Sequence, residues 1–369
     1  MAITMDEATA RAVRMASHGL GRAPMAGVLA AARETGGLQA QNPGAARLGI
    51  RARTRGLDLT AINQAHDMDR EVVVSWLMRG TLHLVPAEDF RWLIAFYGPL
   101  TNAKYRTRRK EFGLTDEVCA KALSILEAVL ADSGQLTKAE LVARLADGGV
   151  PIEPTGQAPV HLIVYAASLG LICRGPEATP GDPTYVLLDE WIPKAMTLPA
   201  NETVLELARR YFSGFGPATA VDFATWAGIA LGPARQAIAE LGDYLLPADV
   251  AGTPMYLRNG SQDSAQRAVR LIPAFDNYMF GYRDRSILLD PAHNGQIFQG
   301  GVARAAVVVD GRIVGTWTQK RTTKLSTVTV DLFEQPKRRI GDELEAEAAD
   351  LARFFTLPSA SAVTVNYPA

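Results

Sequence analysis

Apolar residues recur at helical spacing in three groups along the chain, and each group ends in short runs with strand character. Apolar positions three or four residues apart are typical of a helix that buries one face. The predicted helices cover residues 26–34, 59–65 and 70–78 in the first group, 117–131, 138–145 and 158–169 in the second, and 202–212, 220–227 and 233–241 in the third. The predicted strands cover 81–85, then 171–174 and 184–188 around a Gly/Pro-rich wing at 175–183, then 244–246 and 255–257. A helix-turn-helix followed by a wing, repeated three times, is the simplest description of this order.

Residues typical of helix starts and of hairpin turns support these predicted elements and indicate further elements in the C-terminal part. Thr137 and Thr219 each precede a predicted helix and are expected to be N-caps. Strand-like residues 305–309 and 312–317 flank Asp310-Gly311, a dipeptide typical of a tight hairpin turn. A further strand at 325–332 and an amphipathic helix at 339–355 complete the predicted elements. We therefore predict an α+β fold with three tandem winged helix-turn-helix units, at 1–115, 116–195 and 196–262, and a C-terminal β-rich module at 263–369.

The composition is that of an ordinary globular protein and narrows the class only slightly. The chain has 369 residues, of which 48% are hydrophobic and 21% charged, and its net charge is -1. Asp6 and Glu7 stand where a signal peptide would be basic and then apolar, and the longest apolar run, 161–173, is too short for a bilayer. Cys119 and Cys173 lie far apart, without the spacing of a metal site. We expect a cytoplasmic protein with reduced structural thiols, no metal, no cofactor and no membrane contact.

The third helix of each predicted unit is poorly suited to reading DNA sequence. Side chains that read base edges are Arg, Lys, Asn or Gln, exposed along one face of the helix. The predicted helix at 70–78 is apolar in its middle, and the one at 158–169 offers only His161 and Tyr165. The repeats are therefore expected to be a scaffold rather than a sequence-specific regulator.

Basic residues cluster at three other places. The clusters are Arg51, Arg53 and Arg55, which would share one face of a strand; Lys104, Arg106, Arg108, Arg109 and Lys110, with Tyr105 among them; and Lys320, Arg321 and Lys324 near the C-terminal strands. A single cluster of this kind is also typical of a solvated surface. Three clusters in a nearly neutral chain favour contacts to DNA phosphates, which do not depend on base sequence.

A pair of glutamines in Gly37-Leu38-Gln39-Ala40-Gln41 is the main candidate for chemistry. If the segment is extended, Gln39 and Gln41 leave the same face, because strand side chains alternate. Two neutral amides can hold and orient a water molecule, but they are not strong bases. A reaction that they serve must therefore have an activated leaving group. The alternative is that the segment is a capped loop with no chemical role.

Motifs between residues 37 and 285 resemble those of the AlkZ-like DNA glycosylases. They are Gly37-Leu38-Gln39-Ala40-Gln41, Arg79-Gly80-Thr81-Leu82-His83, Phe215-Gly216-Pro217-Ala218 with Trp226, and Pro273-Ala274-Phe275-Asp276 with Gly281-Tyr282-Arg283-Asp284-Arg285. The resemblance implies tandem winged helices and excision of bulky N-alkylated purines. The motif here reads Gln-Ala-Gln, which is similar to the branch that unhooks interstrand crosslinks rather than to the branch with aspartate at the second position. The resemblance assigns the catalytic roles to Gln39 and Gln41.

The chemistry of the glutamine pair is consistent with this resemblance. Alkylation at N7 makes guanine cationic, so its glycosidic bond breaks without an acid, and the enzyme has to stabilise an oxocarbenium-like sugar and supply water. We therefore expect a monofunctional, monomeric DNA glycosylase, associated with the nucleoid, whose partner is duplex DNA carrying N7-alkylpurines or interstrand crosslinks. The alternatives are a non-enzymatic DNA-binding protein, either a regulator or a lesion sequestrator, and a protein that binds the free alkylating drug.

Two further motif residues have more than one interpretation. His83 on its predicted strand is either a contact to the lesion or a phosphate, or a hydrogen-bonded scaffold residue. Asp276 either orients Arg283 or Arg285 near the site, or belongs to a structural ion-pair network.

Overall fold

The computed structural model describes residues 2–21, 23–194, 198–261, 267–323, 325–357 and 362–368. Lys324, predicted to contact DNA, lies outside these residues. The α-helices are α1 Glu7–Ser17, α2 Val28–Glu34, α3 Pro43–Arg53, α4 Leu59–Asp67, α5 Ala87–Glu111, α6 Asp116–Ser133, α7 Lys138–Asp147, α8 Ala158–Ser168, α9 Leu188–Trp191, α10 Ala200–Phe215, α11 Ala220–Ala227, α12 Leu231–Leu241, α13 Asn277–Phe280, α14 Asn294–Ile297 and α15 Gly341–Phe354. Short 3₁₀ helices cover Met78–Gly80, Gly242–Tyr244 and Pro291–His293.

The strands lie between these helices and confirm a mixed α+β fold. They are β1 Ile3–Met5, β2 Leu38–Gln39, β3 Val72–Trp76, β4 Leu82–Pro86, β5 Gln135–Thr137, β6 Ile172–Thr179, β7 Asp182–Leu187, β8 Leu245–Val250, β9 Thr253–Arg258, β10 Val269–Ile272, β11 Phe298–Gln299, β12 Val302–Ala303, β13 Ala306–Val309, β14 Arg312–Arg321, β15 Ser326–Leu332 and β16 Ala362–Asn366. Among the residues described, every helix is too short or too polar to span a lipid bilayer.

The chain divides into two compact units. The first unit joins Met1–Ile62 to Val204–Ala369, and the second unit is the intervening Asn63–Thr203. The first unit is therefore discontinuous in sequence and forms from both ends of the chain. The division into four consecutive domains stays a prediction.

The first unit contains a three-stranded sheet and a five-stranded sheet. The order β1-β8-β9 pairs β1 parallel to β8, and β8 antiparallel to β9. The order β10-β13-β14-β15-β16 is antiparallel except for the last pair, which is parallel. Helix α15 packs on this second sheet, and apolar side chains that include Leu271, Val328 and Leu351 form the core between them. The bulky β-branched residues at alternate positions of the strands make this face apolar.

The second unit combines long helices with a sheet. Its strands follow one another in the order β4-β3-β6-β7-β5. Helix α5 packs against α8 so closely that a Cβ on Gly98 would lie 2.1 Å from the carbonyl oxygen of Ser168. Burial raises the pKa of the Cys173 thiol, and both Cys173 and Cys119 are buried and free of disulfides. A buried, protonated thiol is consistent with the structural role expected for both cysteines.

The same order of elements occurs three times along the chain: helix, short strand, helix, helix, strand, strand. It is α2-β2-α3-α4-β3-β4 in the first case and α6-β5-α7-α8-β6-β7 in the second. In the third case an isolated bridge between Ala218 and Tyr256 replaces the short strand, within α10, α11, α12, β8 and β9. The assignment of these elements to three tandem winged helices stays a prediction.

Two sequence predictions are wrong within the first repeat. Residues 70–78 were expected to be a helix, but they contain β3, which pairs antiparallel with β4. Their run of Val72, Val73 and Val74 is buried or half-buried, and β-branched residues favour a strand in such surroundings. Residues 51–55 were expected to be a strand, but Arg51 and Arg53 are in the last turn of α3.

The local signals of helix starts and of the hairpin are confirmed. The hydroxyl of Thr137 accepts from the backbone N of Glu140, and that of Thr219 accepts from the backbone N of Asp222. In both cases the acidic side chain accepts from the threonine backbone N in return, which makes a capping box. Asp310 has a left-handed conformation, with φ 49°, at the turn between β13 and β14.

Candidate functional site

The glutamine segment begins at a tight turn that only glycine fits. Helix α2 ends at Glu34, and Gly36 and Gly37 follow with φ of 62° and 93°. A Cβ on Gly36 would lie 2.9 Å from the ring of Trp226, so the turn is also closely packed. Glycine adopts such positive φ values without steric penalty. The turn thereby directs the chain from α2 into β2.

Burial alternates along the segment, as expected for an extended chain. Leu38 and Ala40 are buried, with 3% and 1% of their surface exposed. Gln39 is half-buried and Gln41 is exposed. Asn42 then caps α3 by accepting from the backbone N of Ala45 at 3.1 Å. Leu38 and Ala40 therefore anchor the segment in the core, and the two glutamines are less buried than these neighbours.

The side-chain oxygen of Gln39 is an unusual feature of this segment. Oε1 is buried, and the part of the chain that the structure describes offers it no hydrogen-bond partner. A buried carbonyl oxygen without a donor is costly, by about 1–3 kcal/mol, and such atoms are rare in folded proteins. The oxygen can accept from a water molecule or face a positive charge. A catalytic site for a cationic intermediate would use this property.

The side chain of Asn277 hydrogen-bonds to the backbone of the glutamine segment. Its Oδ1 accepts from the backbone N of Gln39 at 3.2 Å. Its Nδ2 donates to the carbonyl oxygens of Thr35, at 3.3 Å, and Gly37. Asn277 is 6% exposed, so these bonds are shielded from water. The sequence prediction did not single out Asn277, because nothing in its own surroundings indicates a partner so far along the chain.

Asp276 forms a buried ion pair next to Asn277. Its two carboxylate oxygens accept from Nη1 and Nη2 of Arg53 at 2.8 and 2.7 Å, and Oδ1 also accepts from the backbone N of Tyr278. The structure therefore supports the ion-pair interpretation of Asp276, but with a different partner from those expected. The backbone N of Arg283 donates to Asp222, and Nε of Arg285 donates to the carbonyl oxygen of Met279.

Arg51 and Arg53 are buried, so their prediction as DNA contacts is wrong. Arg51 is 2% exposed and donates to the carboxylates of Glu347 and Asp350, each at 2.9 Å. Burial works against the charge of Arg51, but the two carboxylates outweigh it and raise its pKa. Arg53 is 1% exposed and is held by Asp276. Of the three arginines only Arg55 is exposed, and it stays a predicted phosphate contact.

The remaining motif residues of the first unit form an aromatic core. Tyr211 stacks on Phe215 with ring centroids 4.8 Å apart, and Phe215 lies 5.3 Å from Trp226. The guanidinium of Arg14 lies over the ring of Tyr282, whose hydroxyl donates to the carbonyl oxygen of Phe215. Phe215, Trp226 and Tyr282 of the motifs are thus buried among other aromatic side chains of the first unit.

The basic cluster of the second unit lies at the end of α5. Lys104, Arg106, Arg108 and Lys110 are exposed, whereas Arg109 points inward. Arg109 donates to the backbone and side-chain oxygens of Asn102, and its guanidinium lies over the ring of Tyr165. The prediction of a phosphate contact is therefore wrong for Arg109 and stays open for the four exposed residues.

His83 is buried in β4 of the second unit. It is 2% exposed, and its Nδ1 donates to the carbonyl oxygen of Thr81 at 2.9 Å, since a carbonyl can only accept. Burial, followed by the charge of Arg79, lowers the pKa of His83 to about 3. A neutral, buried imidazole cannot serve as an acid at neutral pH. The structure thus favours the scaffold interpretation over a contact to the lesion.

The C-terminal basic residues lie on the arm of the β14–β15 hairpin. Lys320 and Arg321 are exposed, and the guanidinium of Arg321 lies 3.6 Å from the ring centroid of Phe355. Both stay predicted phosphate contacts. Within the described ranges, no group of three His, Cys, Asp or Glu side chains is placed to hold a metal ion.

Comparisons with known proteins agree with these motifs. A family model described as DNA glycosylase AlkZ-like matches residues 32–354. An interstrand DNA cross-link repair glycosylase of Streptomyces sahachiroi is 29% identical over 342 residues, which are 86% of this chain and 88% of that protein. The solved structure of Streptomyces sahachiroi DNA glycosylase AlkZ has a TM-score of 0.81 and 23% identity, covering 99% of this chain and 100% of that one, and shows the shared fold. The chain belongs to the AlkZ-like family of DNA glycosylases.

Proposed function

We propose that the protein hydrolyses the N-glycosidic bond of cationic N7-alkylpurines in duplex DNA, with Gln39 and Gln41 as the catalytic residues. The observation that carries the proposal is the buried Oε1 of Gln39, which has no hydrogen-bond partner among the described residues. Asn277 fixes the backbone of the segment, and Gln41 is exposed. No other residue is assigned to the chemical step.

The reaction needs no strong base or acid. The bond between C1′ and the purine nitrogen breaks, and its electron pair neutralises the cationic base, which leaves. A water oxygen bonds to C1′, and the water loses a proton to solvent, leaving an abasic site. The transition state is oxocarbenium-like, so positive charge develops on the sugar. A carbonyl dipole aimed at that charge lowers the barrier without being consumed.

The two glutamines differ in surroundings and are proposed to differ in role. The carbonyl oxygen of Gln39 is buried and faces the developing charge, while the exposed amide of Gln41 holds the attacking water. Because an amide cannot protonate a leaving group, a neutral purine is a poor substrate. The selectivity for cationic lesions thus follows from the weakness of the catalyst.

Interstrand crosslinks are proposed as a substrate class. The relative from Streptomyces sahachiroi is named for their repair, and the Gln-x-Gln sequence resembles the crosslink-unhooking branch. A crosslinked base cannot turn fully out of the duplex, so its enzyme needs an open site. The exposure of Gln41 is consistent with such a site.

The exposed cations are proposed to contact DNA phosphates. They are Arg55, Lys104, Arg106, Arg108, Lys110, Lys320 and Arg321. Three winged-helix units are proposed as the scaffold that carries them, on the repeated order of elements. Each neutralised phosphate increases the magnitude of the slope of log K against log salt concentration by about 0.9. Arg106→Ala should therefore reduce the slope by about that amount, and Lys138→Ala, an exposed lysine outside the clusters, should not.

The decisive experiment is single-turnover release of N7-alkylguanine from a duplex. Gln39→Ala and Gln41→Ala should each slow release by about 100-fold, as when one group that stabilises transition-state charge is lost, while duplex binding stays the same. Gln236→Ala is the matched control, because Gln236 is exposed on α12 and its side chain donates to Glu240 on the same helix. Excision by the double glutamine variant at the wild-type rate would refute the proposal. Family membership favours this enzyme over a protein that merely binds DNA or the drug, and an abasic product separates them directly.

A further inference from the structure

We propose that Asn277 is a positioning residue for excision, which fixes the backbone of the glutamine segment so that the amide of Gln39 meets the reacting sugar. The inference rests on the proposed function and adds a residue outside the Gln-x-Gln sequence. Asn277 acts through Gln39 and does not touch the substrate.

The side chain of Asn277 uses both of its polar atoms on this one segment. Oδ1 accepts from the backbone N of Gln39, and Nδ2 donates to the carbonyl oxygens of Thr35 and Gly37. The three backbone groups therefore meet one planar amide, which fixes the path of the chain from the turn into β2. An aspartate has the same shape but, when ionised, can make only the bond to Gln39.

Asn277 is itself held by a rigid support. It is the first residue of α13, and the preceding Asp276 caps that helix and is paired with Arg53. The hydroxyl of the next residue, Tyr278, donates to the carbonyl oxygen of Gly311 at 2.7 Å. The position of the asparagine amide is thus set by contacts that do not involve the glutamines.

A small displacement of a catalytic group has a large effect on rate. A misplacement of about 1 Å can reduce the rate by about 100-fold, even when binding is unaffected. Loss of the Asn277 bonds should therefore lower the single-turnover rate at saturating enzyme and leave the affinity for duplex DNA unchanged.

Asn277→Asp gives a test that depends on pH. Above its pKa the aspartate places negative oxygens against the carbonyl oxygens of Thr35 and Gly37, which repels the segment. Below its pKa the carboxylic acid can donate to one of these carbonyl oxygens, so one of the lost hydrogen bonds to the segment is restored. Burial and these two carbonyls raise the pKa of a carboxylic acid at this site. We expect the ratio of variant to wild-type excision rate, corrected for release without enzyme, to be about 0.01–0.1 at pH 8 and to rise several-fold by pH 5.

Two controls separate positioning from general damage to the fold. Asn259→Asp makes the same substitution at an exposed amide that donates to the carbonyl oxygen of Asp243, and its rate ratio should stay near one at each pH. Asn277→Ala combined with Gln39→Ala tests the coupling, since removing Asn277 should cost nothing further once the Gln39 amide is absent. If Asn277→Asp does not fold, as shown by circular dichroism, Asn277→Ser is measured in the same way.

The outcomes distinguish this inference from the proposed function. Wild-type excision by the glutamine variants would overturn both. Loss in the glutamine variants, together with a wild-type rate for the folded Asn277 variant, would overturn only the role of Asn277. A rate loss in Asn277→Asp that does not change with pH, or full additivity with Gln39→Ala, would also overturn it, because both would indicate structural damage rather than positioning.

Discussion

Replacement of Arg53 by methionine should destabilise the first unit more than any surface charge change. The methionine keeps the apolar stem of the side chain and removes the guanidinium that pairs with Asp276. The side chains of Arg53 and Asp276 are 0% and 1% exposed, so water cannot replace the lost partner. The variant therefore leaves a carboxylate in the core whose remaining donor, among the described residues, is the backbone N of Tyr278.

The size of the effect follows from this burial. Removing one partner of a buried pair costs about 3–5 kcal/mol, because the remaining charge is no longer compensated. The pair here has two N–O distances of 2.8 and 2.7 Å, which places it among the stronger arrangements. Removing both charges, as in Arg53→Met with Asp276→Leu, should recover most of the loss and leave about 1–2 kcal/mol, since Asp276 also caps α13.

Urea denaturation followed by tryptophan fluorescence measures these free energies, with Trp226 and Trp317 reporting on the first unit. Arg108→Met is the control, because its pair with Glu111 is on the surface, with side chains 59% and 52% exposed. Such a pair contributes about 0–1 kcal/mol. The reasoning is refuted if Arg53→Met costs no more than the control, or if the double variant is as unstable as the single one.

Two further predictions concern pH and packing. The pKa of His83 is about 3 in the folded chain. Below pH 6.5 the imidazole is therefore protonated in the unfolded chain but stays neutral in the folded chain, and the free energy of unfolding falls as the pH falls towards 3. Between pH 6.5 and pH 5 the free energy of unfolding, measured by urea denaturation, should fall by about 2 kcal/mol less in His83→Asn than in wild type. An equal fall in both proteins would exclude the effect. A Cβ on Gly214 would lie 2.2 Å from the carbonyl oxygen of Glu34, whereas one on Gly232 would meet nothing within 4 Å. Gly214→Ala should therefore cost about 1–3 kcal/mol in thermal or urea denaturation and Gly232→Ala should gain up to about 1 kcal/mol, and the opposite order would contradict the packing.

Helix starts and hairpins could be predicted from sequence because their causes are local. Thr137 and Thr219 are each within four residues of the groups that they cap, and Asp310-Gly311 supplies the backbone conformation that its turn needs. Secondary structure was predicted wrongly where an apolar segment shows neither the helical nor the strand periodicity. The valines of β3 are apolar on both faces, so spacing cannot separate a strand from a buried helix, and β-branching should have decided the matter.

Only those parts of the candidate site that depend on local sequence could be predicted. The glutamine pair stands out in the sequence, and so does the Asn42-Pro43 start of α3, which would have placed Arg51 and Arg53 on a helix. The arginines were taken for surface charges because their partners lie far away in sequence: Asp276 for Arg53, and Glu347 among those of Arg51. Burial of a charge depends on such distant partners, so the sequence near a charge does not reveal it.

The long separation between the glutamine segment and Asn277 has a consequence for protein synthesis. The two lie 238 residues apart, and a ribosome adding about 5–20 residues per second needs about 10–50 s to pass from one to the other. During that time the exposed lysines and arginines of α5 are already made, but Asn277, which bonds to the glutamine backbone, is not. If Asn277 has the proposed positioning role, a nascent or truncated chain that ends before α13 carries the cations proposed to contact DNA but is deficient in excision, and incomplete chains leave fewer abasic sites.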